Sequence, residues 1–386
     1  MRVVTWSRDK LLSGAFLVCA FGTGVSFPLF KAPTNIFFYT LIVLALFDKA
    51  IRSQLSATLQ NRTVQVGFLL VGLFLIGLAY SPVSFEYSFR VFLKYLRFEL
   101  PIVLIPFFSR ERHVRAFFYG LAASIFLMLF TLFGNWHPQV INPIYASFIW
   151  ATFFSICLVL FLNGNNWVLI PMAAIGYTLL FQIQQRTGLI ILEANVVCIT
   201  AIYAFFRREW RRPVIVCVLF LGVPFVMQKK VPAADIIKRE VADIIQKKPQ
   251  LNSWGYRLEF IKNGVKLWKE APVFGHGTGS YATLSRNHNY PYIRDTDEPN
   301  PHNEYIHIIV ELGLVGLLTF LLWQATLFVG FGQRTFESKL MLCAFMISLM
   351  MGLFSDSMFF LNSTRDFIFA MVAVFQTPFL SGKTVK

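Results

Sequence analysis

Pro301-His302-Asn303-Glu304-Tyr305-Ile306-His307-Ile308-Ile309-Val310-Glu311-Leu312-Gly313-Leu314-Val315-Gly316 passes in one step from a polar loop into an apolar helix. A histidine stands at the crossing, and the apolar run that follows is long enough to enter a membrane. Upstream, Tyr256-Arg257-Leu258-Glu259-Phe260 opens an amphipathic segment that runs through Trp268. The chain then turns through Pro272-Val273-Phe274-Gly275-His276-Gly277-Thr278-Gly279. From Trp254 to Gly316 the chain thus brings arginine, flexible backbone and histidine to one membrane surface.

The rest of the chain supplies that membrane. Of its 386 residues, 56% are hydrophobic, 17% aromatic and only 14% charged, against about a quarter charged in a soluble domain. Apolar runs of spanning length lie near 11–30, 35–47, 63–80, 90–108, 116–134, 143–162, 167–185, 188–206, 213–228, 304–330, 340–361 and 366–381. The alternation of an outer-membrane barrel is absent. The expected fold is therefore all-α, a polytopic transmembrane helical bundle of about 12 spans. Residues 1–228 would hold spans one to nine, 229–303 one large loop with amphipathic helices, and 304–386 spans ten to twelve. The basic N-terminus precedes an apolar run of about 20 residues with no clear cleavage site, which reads as an uncleaved first span.

Charge sets the orientation. Lys and Arg concentrate in alternate short loops, at Arg2, Arg8, Lys10, Lys49, Arg52, Arg62, Arg110, Arg112, Arg115, Arg207, Arg208, Arg211, Arg212, Arg334, Lys339, Lys383 and Lys386. The opposite short loops carry only Lys31, Arg90, Arg186 and Arg365. By the positive-inside rule both termini are cytoplasmic and the long loop is external. The net charge of +15 then reports topology and contact with anionic lipids, and not nucleic acid. The five cysteines all fall in apolar segments without metal-ligand spacing, so they read as small buried hydrophobes.

Several charges fall where topology does not ask for them. Arg90, Lys94 and Arg97 sit four and three residues apart in span four, on one helical face near the outer surface. Two readings fit: the cations snorkel to the interface, or they face a cavity or a partner. Arg186 occupies a tight outer hairpin, Gln184-Gln185-Arg186-Thr187-Gly188. Guanidinium groups bind phosphate oxygens bidentately, so Arg186 and Arg257, with Lys94 or Arg97, form a candidate diphosphate clamp bordered by Asp356 and Arg365.

Among the six histidines, His113 falls in a basic cytoplasmic loop and reads as solvated. His137 pairs with Trp136 at an interface, His276 and His288 are external, and His307 is packed within span ten. His302, held at the membrane surface after Pro301, is the candidate to accept a hydroxyl proton. No metal site is expected; Asp295, Asp297 and Glu298 read as a solvated acidic turn, the alternative being ligands of a hard cation such as Ca²⁺ or Mg²⁺. The glycine run lacks the preceding strand of a dinucleotide site. Gly275 and Gly277 read as a flexible turn whose backbone approaches a ligand closely.

Taken together, Arg257 with Trp268, Pro272-Val273-Phe274-Gly275-His276-Gly277, His302-Asn303-Glu304-Tyr305 and Glu311-Leu312-Gly313-Leu314-Val315-Gly316 resemble the signature of the O-antigen ligase and polymerase superfamily. The resemblance covers about residues 140–360. It implies a multi-pass glycosyltransferase of the bacterial inner membrane, its site facing the periplasm. Ligases of this family move O-antigen polysaccharide from undecaprenyl diphosphate to lipid A–core, in lipopolysaccharide biosynthesis. They resemble inverting enzymes that use no metal, cofactor or nucleotide sugar. By motif position His302, Arg257 and Arg186 match the catalytic residues. Lys94, Arg97, Arg90, Asn303, Gly275 and Gly277 are assigned to substrate binding. Polymerases of the group often have two substantial periplasmic loops, and one is expected here, which favours ligase. Two other readings are a protein O-oligosaccharyltransferase using the same donor and, in a different class, a transporter of lipid-linked glycan.

Overall fold

The computed structural model describes residues 8–133, 143–164, 175–177, 180, 186–227, 253–287, 300–360, 362–377 and 380. Among the described residues all regular structure is helical and no strand occurs. Among the described residues five helices are long and apolar enough to cross a membrane: Glu111–Phe130, Pro143–Asn163, Thr187–Arg207, Glu304–Gln333 and Phe336–Ser355. A sixth arises if Lys31–Phe47 and Lys49–Thr58, bent by 92°, are one span. The sequence expectation of twelve is larger. His137, His288 and the acidic turn at 295–298 lie outside the described residues, as do residues 229–252 and 288–299 of the large loop.

Two expected spans take a different form. Helix α2 (Lys31–Phe47) stops at Asp48, where the backbone is extended and α3 (Lys49–Thr58) starts in a new direction. The Asp48 carboxylate causes the restart: it accepts from the amides of Ala50 and Ile51 at 2.8 and 3.2 Å and pairs with Arg110 at 3.0 Å. An aspartate in that role satisfies amides that a new helix leaves open. The stretch read as span four is broken into α5 (Phe85–Tyr95), a 3₁₀ turn over Leu96–Glu99, and α6 (Pro101–Phe108). Pro101 has no amide hydrogen, and its ring clashes with the carbonyl one turn back, so the α-helix cannot run through.

The remaining helices are α1 (Arg8–Ser26), α4 (Arg62–Gly77), α7 (Glu111–Phe133), α8 (Pro143–Asn163), α9 (Arg186–Arg207), α10 (Arg211–Met227), α11 (Ser253–Glu270), α12 (Ser280–Asn287), α13 (Glu304–Thr326), α14 (Phe336–Ser355) and α15 (Asn362–Phe375). Helix α8 is apolar on every side and almost wholly buried, with α9 and α14 packed against it. Such a helix belongs at the centre of a bundle. Helix α15 is buried from Ser363 to Phe375. Helices α1 and α7 touch backbone to backbone at Gly24 and Gly120, where a Cβ on either would run into a carbonyl of the other. Large apolar side chains such as Ile36, Phe130, Phe205 and Val218 stay exposed, which suits a surface facing lipid. Two readings of side chains change. His113 is buried and stacked on Phe107, its Nδ1 2.8 Å from the Phe107 carbonyl oxygen, because α6 and α7 meet there with almost no loop. Cys198 is exposed on the outer face of α9, with Cys217 and Cys343 half-buried.

One local feature orders the end of the bundle that holds the polar residues. Helix α13 breaks at Gly313, where φ is 64° and ψ −161°. The break leaves backbone groups without helical partners, and the turn 272–277 supplies them. The amides of His276 and Gly277 donate to the carbonyls of Val310 and Glu311 at 2.9 and 2.8 Å. In return, the amides of Leu314 and Val315 donate to the carbonyls of Pro272 and Val273 at 2.9 and 3.2 Å. Apolar surroundings require such pairing, since an unsatisfied backbone group there costs several kcal/mol (about 2–7). The interlock fixes α11, which enters the turn, against α13, which carries His302 at its start.

Candidate active site

The segment Asn300-Pro301-His302-Asn303 builds its own geometry. The amide of His302 donates to Asn300 Oδ1 at 3.0 Å, an Asx turn that tolerates an unusual backbone. His302 accordingly has φ +48°, a left-handed conformation uncommon for a residue with a side chain. Asn303 caps α13, its Oδ1 accepting from the Ile306 amide at 3.0 Å, while its Nδ2 donates to the Phe354 carbonyl at 3.0 Å. The carboxamide assigned to substrate binding therefore joins the start of α13 to the end of α14.

That junction delivers Asp356. Its carboxylate is 1% exposed, and Oδ1 lies 2.9 Å from His302 Nδ1. The Ser357 amide donates to the same oxygen at 2.7 Å, and Oδ2 is buried with no hydrogen-bond partner among the described residues. A carboxylate at Nδ1 sets the tautomer, with the proton on Nδ1 and the basic lone pair on Nε2. The same carboxylate stabilises the imidazolium that forms when Nε2 takes a proton. Phe260 of α11 packs on the imidazole at 5.6 Å between ring centroids.

His302 and Arg257 line one cavity of about 630 Å³. Arg257 projects from the first turns of α11. The other walls are mostly apolar, with Ile190 and Ile191 from α9, Ile261 from α11, and Met351 and Phe354 from α14. Thr187, the second residue of α9, also reaches the cavity. Arg186 is the first residue of that helix, and its side chain lies outside the described residues. The cavity thus combines an imidazole, a guanidinium and a broad apolar wall.

Other residues expected at the site stand elsewhere. Gly275 and Gly277, with φ 70° and 92°, approach the chain's own backbone: a Cβ on Gly275 would lie 2.5 Å from the Glu311 carbonyl, and one on Gly277 2.7 Å from the Gly77 carbonyl oxygen. His276 is bound into the same turn, Nε2 2.8 Å from the Leu267 carbonyl oxygen. The three cations of the fourth apolar stretch do not share a face, because the 3₁₀ break turns the chain between Lys94 and Arg97. Arg90 pairs with Glu86 at 3.2 Å on an exposed surface. Lys94 Nζ stands 3.3 Å above the Phe360 ring. Arg97 donates to both Asp366 oxygens at 3.1 and 3.2 Å and covers the Tyr39 ring. Arg365, beside Asp366, is fully buried and donates to the Phe359 carbonyl and Asn362 Oδ1.

Two features were not assigned from sequence. Asp356, read only as bordering the site, is the partner of His302; its signal was a carboxylate ending an apolar run. Glu304, Tyr95, His307 and Glu311 form a buried polar chain behind the histidine. Tyr95 Oη donates to Glu304 Oε1 at 2.6 Å and lies 2.8 Å from His307 Nδ1, and His307 Nε2 is 3.0 Å from Glu311 Oε1. The i, i+3, i+4 and i+7 positions of Glu304, His307 and Glu311 on one helix were the available signal.

The family model described as O-Antigen ligase matches residues 170–321. The match takes in Arg186, Arg257 and His302, and stops short of Asp356. No curated protein matches the chain.

Proposed function

From its place in the O-antigen ligase superfamily, we propose that the chain is a ligase, moving a polysaccharide from undecaprenyl diphosphate to a hydroxyl of lipid A–core. The observation that carries this reading is the contact of 2.9 Å between His302 Nδ1 and buried Asp356, at a cavity shared with Arg257. Nε2 of His302 takes the proton of the acceptor hydroxyl as its oxygen attacks the anomeric carbon. The new C–O bond forms on the face opposite the diphosphate, the bond from anomeric carbon to phosphate oxygen breaks, and the configuration inverts. Polyprenyl diphosphate leaves with its charge stabilised by Arg257 and Arg186, the service that preorganised cations give a leaving group. The apolar wall suits the isoprenoid end of the donor. Arg97 has no part in this scheme, since Asp366 already engages its guanidinium. In this reading the site faces the periplasm and both termini the cytoplasm, an orientation the loop charges favour.

The test is reconstitution of the purified protein in proteoliposomes with lipid-linked polysaccharide and lipid A–core, without nucleotide or added metal. Capped core supports the ligase. Longer lipid-linked chains would replace it with polymerase, and movement of donor between leaflets with no new glycosidic bond would replace it with transport. In the same assay Arg257→Lys is expected to lower kcat/KM for donor by on the order of 10²-fold, because an ammonium lacks the planar fork that grips two phosphate oxygens. An unchanged rate would remove Arg257 from the clamp.

A further inference from the structure

Glu304 lies two residues beyond His302, fully buried, and lines none of the cavity. Its two carboxylate oxygens serve different elements. Oε1 accepts from Tyr95 Oη at 2.6 Å, and Oε2 accepts from the backbone amide of Phe359 at 3.2 Å. Phe359 belongs to the short turn after α14 that also carries Asp356, and the Met358 amide closes that turn on the Asp356 carbonyl at 3.0 Å. On the near side of the turn, Asn303 Nδ2 holds the Phe354 carbonyl. The segment 354–359 is therefore tied to the first turn of α13 at both ends, with the His302–Asp356 contact between the ties.

We infer that Glu304 is a positioning residue that fixes the Asp356 carboxylate on His302 Nδ1, with Tyr95 as the group that aims it. The inference rests on the glycan-transfer reading for its kinetic consequence. Tyr95 is itself rigid: its ring stacks on Phe74 at 3.8 Å, and its hydroxyl stands between Glu304 and His307. His307 is held at the other nitrogen by Glu311, so the chain of contacts runs back to the helix break at Gly313. Loss of the acceptor at residue 304 releases the Phe359 amide and lets Asp356 drift from the imidazole. A displacement of about 1 Å in a catalytic group costs on the order of 10²-fold in rate.

What the tether needs is an acceptor, not a charge. A glutamine at 304 keeps all three contacts if its carbonyl faces the Phe359 amide, its NH₂ donates to Tyr95 Oη, and the Tyr95 hydroxyl donates to His307 Nδ1. The test compares Glu304→Ala, Glu304→Gln, Tyr95→Phe and Asp356→Asn in proteoliposomes. Two readouts are taken: steady-state transfer, and the rate at which diethyl pyrocarbonate modifies His302, followed by mass spectrometry. Glu304→Ala is expected to lose about 10²-fold in kcat with donor KM unchanged. The rate of His302 modification should move to that of Asp356→Asn, because in both variants the imidazole Nδ1 has lost its carboxylate partner. Glu304→Gln should recover most of both, Tyr95→Phe should fall between, and Glu304→Ala combined with Asp356→Asn should be no worse than Asp356→Asn alone. Wild-type modification of His302 in Glu304→Ala, or equal loss in Glu304→Gln and Glu304→Ala, overturns the inference. Should Glu304→Ala fail to insert, Tyr95→Phe and Glu304→Gln decide the same point. Absence of product from the wild type would count against the transfer reaction, and the modification rates would still test the tether.

Discussion

His302→Ala is expected to lower glycan transfer by about 10²–10⁴-fold, the range lost when a general base is removed. In the proposed mechanism the imidazole is the base, and its Nδ1 is already occupied by Asp356 at 2.9 Å. In that scheme the loss should fall on kcat, since the donor clamp assigned to Arg257 is untouched. Removing the ring also leaves a buried carboxylate with a donor missing, which costs on the order of 1–3 kcal/mol of stability. His302→Gln separates the two effects. Its amide can still donate to Asp356 but takes no proton, so that variant should insert normally and stay inactive. The measurement is single-turnover capping of lipid A–core in proteoliposomes at matched protein content. Transfer at the wild-type rate by correctly inserted His302→Gln would remove the histidine from the chemistry.

A large loss of stability is expected from a substitution at Gly275. An alanine there must hold φ near 70° and place its Cβ 2.5 Å from the Glu311 carbonyl and the Gly313 amide. A left-handed backbone alone costs a non-glycine residue roughly 1–2 kcal/mol. The clash then pries apart an interlock of four backbone hydrogen bonds between the 272–277 turn and α13, each with a net value of about 0.5–1.5 kcal/mol. A loss on the order of 3 kcal/mol or more follows, read as a lower thermal unfolding midpoint in detergent. Gly14→Ala is the control, because a Cβ on Gly14 meets nothing within 4 Å and alanine favours the helix. Equal midpoints for Gly275→Ala and Gly14→Ala would show that the interlock contributes little.

The two variants mark where sequence reading succeeded and where it stopped. The break of α13 at Gly313 cannot be found from periodicity, because Leu312 and Leu314 continue the apolar pattern through it. Without the break, Gly275 and Gly277 read as backbone waiting for a ligand. With it, they are the only residue type that lets one backbone lie against another. The cations of the fourth apolar stretch show the same dependence. Their spacing places them on one face of a continuous helix, but Pro101 ends that helix, and Arg97 finds Asp366 and Tyr39 from remote parts of the chain. A charge in an apolar interior demands a partner; which partner, the spacing does not say.

By itself the sequence determined the class of the protein. Lipid forces long apolar segments into helices that satisfy their own backbone, so composition and run length suffice for an all-helical membrane protein. It also determined that the polar motif around Arg257 and His302 lies between apolar blocks, since charge patterning and run boundaries are local properties. Only the tertiary structure decided what His302 touches. Asp356 is 54 residues away and Glu304 meets Tyr95 across 209. Those pairings arise because α13 and α14 run antiparallel and the turn after α14 packs under the start of α13. The basicity of a histidine is set by the group on its other nitrogen, and that group is chosen by the packing of helices.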